Sequence, residues 1–140
     1  LKLANKLSAS ASHSQCTLNV LLQVNIANDP DKYGLPSASV YAFVEDLLEA
    51  GLAGIRLRGL MTIGRRNDSL DQTRANFSAL RKLAEACAER FDAHHFSELS
   101  MGMSNDFESA IAEGATMIRI GSSIFGQRPA TTSGYSPGLS

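Results

Sequence analysis

The sequence is short of several features that would point to particular functions. Its 140 residues carry 13 basic and 14 acidic side chains, so it lacks the basic surplus of proteins that bind nucleic acid or anionic membranes. No apolar run approaches the roughly 18 residues of a membrane span. The two cysteines, Cys16 and Cys87, form no CxxC motif, and a signal peptide is not expected. Free thiols in a reducing, cytoplasmic compartment are therefore expected.

Motifs for several kinds of chemistry are also missing. No GxGxxG follows the first predicted strand, which weighs against a dinucleotide-binding sheet. No His, Cys, Asp or Glu cluster has metal-site spacing, and the adjacent pair His94-His95 would point in opposite directions. The lysines fall in predicted helices or a turn rather than on strands, where one could form an imine inside a barrel: Lys2, Lys6, Lys32 and Lys82.

The sequence does contain short apolar runs that alternate with amphipathic stretches. The apolar runs predict strands at 18–25, 56–63, 96–101 and 117–120. Helices are predicted at 1–8, 36–50, 69–90 and 106–113, with Ser37 and Ser69 as N-caps, Gln72 completing a capping box, and Gly51 and Gly114 as stops. Residues 8–15 and 26–35 are predicted to be loops. This order is typical of parallel βα units.

Four βα units make half of a (β/α)8 barrel. The chain begins at Leu1 without an initiator Met and already in a helical pattern. We therefore expect an α/β fold that is the C-terminal half, strands 5–8, of a TIM-type barrel whose N-terminal half belongs to a larger protein. Residues 130–140, with few apolar side chains, are predicted to form a flexible tail.

Two small-residue turns follow the last two predicted strands. The first is Met103-Ser104-Asn105-Asp106, with Ser104 as a candidate N-cap, and the second is Gly121-Ser122-Ser123. The phosphate sites of (β/α)8 barrels are frequently built by the loops after strands 7 and 8. The alternative is structural: a plain helix cap, and a turn that merely needs a small residue.

Other residues are placed to line the mouth of such a barrel. Arg119 interrupts an apolar strand, so it is either a donor to a ligand or one half of an ion pair, for instance with Glu98. Asn25 and Met61-Thr62 come at the ends of their strands, although Met is more often a core residue. Arg65-Arg66 is expected to be solvated.

The stretches SMGMSNDFESAI (100–111) and RIGSSIFG (119–126) resemble the C-terminal signature of the pyridoxal 5′-phosphate homeostasis proteins. These are stand-alone relatives of the alanine racemase N-terminal barrel. LNVLLQVNIANDPDKYGL, LRGLMTI and FGQRP extend the resemblance over residues 1–129.

The resemblance implies a partial barrel over residues 1–129 that carries pyridoxal 5′-phosphate (PLP). Ser104 of the MGMS turn, which includes Met103, would hold the phosphate together with Gly121 and Ser122. Arg119 would approach the pyridine nitrogen, which makes the cofactor a weak electron sink, and Asn25 and Met61 would be wall residues. The Schiff-base lysine of the family lies on the first strand, which this chain does not contain.

The resemblance further implies a non-catalytic carrier or regulator in intracellular vitamin B6 homeostasis. Its partners would be PLP and PLP-dependent apoenzymes, with no nucleic acid or membrane, and the full-length protein would be a monomer or weak dimer. One alternative is a PLP-dependent racemase or decarboxylase, but alanine racemase needs a second domain with a catalytic Tyr, and about twelve residues follow Arg128. Another is a non-binding half barrel that dimerises through its open edges.

Overall fold

The structure, a computed structural model, describes residues 1–65 and 67–126. Within these ranges five strands form one parallel sheet in the spatial order β2-β1-β3-β4-β5. The strands are β1 (Leu18–Asn25), β2 (Leu35–Pro36), β3 (Ile55–Met61), β4 (Glu98–Met103) and β5 (Met117–Arg119). The helices are α1 (Lys2–His13), α2 (Val40–Glu49), α3 (Leu70–Arg90), α4 (Phe107–Ala112) and α5 (Ser122–Phe125), with 3-10 turns at Ser37–Ser39 and Ala93–His95.

This arrangement confirms the predicted parallel α/β fold. The tail predicted at 130–140 and the loop residue Arg66 lie outside the described residues. In the part of the chain that the structure covers, no helix is long and apolar enough to cross a bilayer.

One face of the sheet packs against the helices to form the core. Alternate strand residues such as Leu57 and Met101 are buried there with Phe77 and Leu80 of α3, because successive side chains of a strand point to opposite faces. The amphipathic helix predicted at 69–90 is confirmed as α3, and its apolar face is buried, with Cys87 fully so. Arg56 and Arg58, which flank the buried Leu57, point to the opposite face.

The first helix is longer than the sequence indicated. The predicted loop over residues 8–15 was wrong, because α1 continues to His13. Ser8 is buried, its Oγ accepts the N–H of Gly54 at 3.0 Å, and a Cβ on Gly54 would lie 2.1 Å from the Ser8 carbonyl oxygen. The small side chains of residues 8–12, which suggested a loop, instead allow α1 to pack closely against Gly54.

The start of the second helix also differs from the prediction. Pro36 lies in the short strand β2, where it pairs beside Asn25 of β1, and α2 begins only at Val40 without a side-chain cap. Ser37 is therefore not an N-cap. Proline is compatible with an edge strand because it has no N–H to donate. Gly51, with φ of +58°, ends this helix as predicted.

The N-terminus of α3 is capped as predicted, but only in part. Ser69 Oγ accepts the N–H of Gln72 at 3.2 Å. The Gln72 amide does not complete a capping box, since it donates to Asn76 Oδ1 at 3.3 Å.

A glycine allows the central strands to approach each other. The β1–β3 register shifts next to Gly59, and a Cβ on Gly59 would lie 1.8 Å from the carbonyl oxygen of Glu98 on β4. Any side chain here would separate β3 from β4, so this residue fixes how their carboxyl ends are placed side by side.

The two cysteines are expected to differ in reactivity. Cys16 is exposed and Cys87 is buried, and burial raises the pKa of the Cys87 thiol, so less of the reactive thiolate is present at a given pH. At pH 8 a disulfide reagent should titrate one thiol rapidly in the native chain and two in denaturant. Cys16→Ser should abolish the fast phase. Two thiols reacting equally fast in the native chain would contradict the packing of α3.

Candidate functional site

The carboxyl ends of the parallel strands meet at one edge of the sheet, and the predicted site residues lie along it. Four of them are the last residues of strands: Asn25, Met61, Met103 and Arg119. The others follow directly after β4 and β5: Ser104, Gly121 and Ser122. The structure thus brings together on one edge residues that are up to 97 positions apart in the sequence (Asn25 to Ser122).

Ser104 joins the two small-residue turns. Its Oγ accepts the N–H of Gly121 at 3.2 Å and the N–H of Ser123 at 3.3 Å. The prediction that Ser104 is an N-cap was wrong, because the N-cap of α4 is Asp106. A hydroxyl oxygen accepts two hydrogen bonds and donates one, so among the residues that the structure describes the Ser104 hydroxyl is left as a donor.

Asp106 has a role that the sequence analysis did not assign to it. Its Oδ1 accepts the N–H of Met103 at 2.6 Å, and its own N–H donates to the Met103 carbonyl at 3.1 Å. These reciprocal bonds close a turn around Ser104 and Asn105. An Asp directly before a helix is a common N-cap, which is the signal that could have drawn attention to it.

Arg119 is held by two neutral acceptors. Its Nη1 donates to Ser100 Oγ at 2.6 Å and its Nη2 to the Thr62 carbonyl at 2.7 Å. Burial lowers the pKa of Arg119, and the charge of Asp106 acts in the opposite direction. Arginine nevertheless stays protonated in proteins, so this guanidinium brings a positive charge to the edge.

The ion pair between Arg119 and Glu98, which the sequence left open, is not formed. Glu98 lies 3.6 Å from Arg58 Nη2 and accepts the Thr116 hydroxyl at 2.7 Å. The positive charge of Arg119 is therefore not neutralised by that carboxylate.

Thr62 connects three strands beneath the site. It is 1% exposed, its Oγ1 donates to the Val24 carbonyl of β1 at 2.8 Å, and its N–H donates to the Ser100 carbonyl of β4 at 3.1 Å. Its own carbonyl accepts Arg119 of β5 at 2.7 Å. The sequence placed Thr62 at the mouth but gave no indication of this linking role.

The two predicted wall residues differ in what they contact. The Asn25 amide is used by its own loop, since Nδ2 donates to the Asp29 carbonyl at 2.7 Å and Oδ1 accepts the Asp29 N–H at 3.0 Å. Asp29 in turn accepts Arg65 Nε at 3.1 Å. Met61 is half-buried beside Ser100 in the β3–β4 register. Their role as wall residues stays a prediction.

The described residues at this edge include neither a metal-ligand cluster nor a lysine on a strand. Over residues 1–65 and 67–126, no group of three or more His, Cys, Asp or Glu could hold a metal ion. His95 contacts the Leu57 carbonyl at 3.4 Å rather than forming a pair with His94. Lys2 and Lys6 lie on α1, Lys82 on α3, and Lys32 in the loop before β2.

Comparison with known proteins identifies the family. The sequence profile of the family described as "Alanine racemase, N-terminal domain" matches residues 1–129. The chain belongs to this family. Among curated members, it is 39% identical over 132 residues to the pyridoxal phosphate homeostasis protein of Bos taurus, covering 91% of this chain and 48% of that protein. It is 37% identical over 129 residues to the protein of the same name from Escherichia coli, covering 91% and 53%.

Solved structures of this family agree with the fold. The chain superposes on PipY of Synechococcus elongatus without PLP with a TM-score of 0.81 and 35% identity, over 89% of this chain and 57% of that one. For PipY with PLP bound the TM-score is 0.80 at 34% identity, with the same coverage. The chain spans about half the length of the curated relatives it matches.

The linking role of Thr62 can be tested by an isosteric change. Thr62→Val keeps the backbone bond to Arg119 but leaves the buried Val24 carbonyl without its hydroxyl donor. We expect the free energy of unfolding to fall by about 1–2 kcal/mol, measured by urea denaturation. Thr17→Val is the control, since Thr17 is exposed and should change stability by less than about 0.5 kcal/mol. Equal effects of the two substitutions would contradict this role.

Proposed function

We propose that residues 1–129 form the C-terminal half of a (β/α)8 barrel, with β1, β3, β4 and β5 as barrel strands 5 to 8. The sheet is parallel throughout. Its outermost strand on one side, β5, carries exposed apolar residues, Met117 at 38% and Ile118 at 40%. An isolated edge of this kind is a template for further pairing. The coverage of only 48% to 57% of the relatives compared here also supports a half barrel.

We further propose that the turns after β4 and β5 hold the phosphate of PLP. The observation that carries this proposal is the Ser104 hydroxyl: both of its acceptor positions are taken by the Gly121 and Ser123 amides. Its proton is then available to an anionic oxygen. A phosphate ester carries about two negative charges and strong acceptor oxygens, which such a donor suits. The Ser122 hydroxyl lies in the same turn.

The charge of Arg119 suits the pyridine ring of the same ligand. Bound PLP supplies an electron sink, which depends on a protonated ring nitrogen. In our proposal Arg119, anchored by Ser100 and Thr62, faces that nitrogen and disfavours its protonation, because both would carry positive charge. A weak electron sink favours a carrier or regulator over a racemase or decarboxylase. The name that the relatives share, pyridoxal phosphate homeostasis protein, supports the same role.

Within the described residues, the chain's own contribution to this site is non-covalent, since no lysine lies on a strand there. We propose that a Schiff-base lysine is supplied by the first barrel strand, outside this chain. PLP-dependent apoenzymes are the proposed recipients, the cytoplasm the proposed location, and a monomer or weak dimer the proposed state of the full-length protein.

Binding of a phosphate ester tests the proposal. Pyridoxine 5′-phosphate is the probe because it has no aldehyde to react with surface lysines, and pyridoxine is the same ring without phosphate. In equilibrium dialysis the chain should prefer pyridoxine 5′-phosphate. Ser104→Ala should weaken its binding by roughly 10-fold or more, the loss expected for a hydrogen bond to a charged group, and leave pyridoxine unaffected.

The control is Ser14→Ala, because Ser14 follows α1 and precedes β1, at the opposite edge of the sheet. It should bind both probes as the wild type does. A Ser104→Ala variant with unchanged affinity for pyridoxine 5′-phosphate, or a wild-type chain with no preference for the phosphate, would overturn the proposed function.

A further inference from the structure

We infer that Asp106 is a positioning residue that holds the Ser104 hydroxyl where a phosphate ester meets it. The inference rests on the proposed function and adds to it a residue that makes no contact with the ligand itself. Asp106 acts through the turn that carries Ser104, so its effect should be seen only through that hydroxyl.

The turn geometry is the first argument. Met103 and Asp106 are bonded in both directions, from the Met103 N–H to Oδ1 at 2.6 Å and from the Asp106 N–H to the Met103 carbonyl at 3.1 Å. Only Ser104 and Asn105 lie between them. With both ends fixed, the orientation of Ser104 is constrained, and its Oγ reaches two amides of the other turn.

The loop after β3 supplies a second constraint on the same carboxylate. Asp106 Oδ2 lies so close to Gly64 that a Cβ there would be 2.9 Å away. Gly64 therefore leaves the room in which the carboxylate sits, and the side chain of Asp106 is confined between the β3 loop and the Met103 N–H.

Because Asp106 is charged, substitutions at this position can separate its role as a hydrogen-bond acceptor from the effect of its charge. A carboxylate beside a phosphate-binding turn repels a phosphate dianion, so a purely electrostatic role would oppose binding. The carboxylate also attracts Arg119, but that guanidinium is proposed to face the ring rather than the phosphate. The benefit for phosphate binding then lies in the acceptor Oδ1. Asn offers the same acceptor without the charge, whereas Ala offers neither, so the two substitutions separate positioning from charge.

Binding of pyridoxine 5′-phosphate to the full chain gives the first readout. Asp106→Ala should weaken it at least 10-fold, with pyridoxine unaffected, whereas Asp106→Asn should bind as the wild type does or more tightly. Gly64→Ala, which displaces the carboxylate without changing it, should weaken binding by an intermediate factor. The double variant Ser104→Ala/Asp106→Ala should be no weaker than Ser104→Ala alone, because Asp106 acts through Ser104.

A ligand-free readout keeps the inference testable if the wild-type chain binds neither probe. In ¹H–¹⁵N spectra, Asp106→Ala should shift the Gly121 and Ser123 amide signals in the direction that Ser104→Ala shifts them, and Asp106→Asn should not. Unmoved amide signals in Asp106→Ala, or tighter binding in both Asp106 variants, would overturn the inference. Loss of wild-type binding with the predicted shifts would instead overturn the proposed function alone.

Discussion

The Ser104 hydroxyl is the interaction on which the candidate site depends. It accepts two amides from a turn 17 and 19 residues further along the chain and so joins the ends of β4 and β5. Without it, each turn would be an ordinary connection between a strand and a short helix. Because its acceptor capacity is filled by the protein, the hydroxyl is left as a donor, and in the proposed function an anionic oxygen accepts from it.

A chain of polar contacts beneath the turns gives this edge its rigidity. Thr62 joins β1 and β4, and Arg119 of β5 is bonded to Thr62 and Ser100. The acceptors are a carbonyl and a hydroxyl rather than a carboxylate, so the guanidinium is fixed in orientation while its charge is preserved. In the proposed function, this preserved charge is what keeps the bound cofactor from acting as a strong electron sink.

The sequence predicted those features that local chemistry determines. The strand Leu18–Asn25 has the predicted bounds, because a nearly continuous apolar run with polar ends suits a parallel strand. The helix α3 begins at its predicted cap, Ser69, and buries the apolar face of its amphipathic pattern. The carboxyl ends of β4 and β5 were predicted to within two residues, at 101 and 120 against 103 and 119 in the structure, because small residues adjoin these strands. The hydrogen-bond partners at these strand ends could not be predicted, since Arg119 and Thr62, for example, are 57 residues apart in the sequence. The extension of α1 to His13 depends on contact with Gly54, and composition alone does not show such a contact.

The central claim is that the turns after β4 and β5 bind a phosphate ester. Its most direct test is a ¹H–¹⁵N titration of the wild-type chain with pyridoxine 5′-phosphate. The account predicts saturable shifts of the Ser104, Gly121 and Ser123 amide signals, with no change at Gly51, which follows α2, and none of these shifts with pyridoxine. Unchanged signals at the two turns, or saturable shifts confined to another part of the chain, would contradict it.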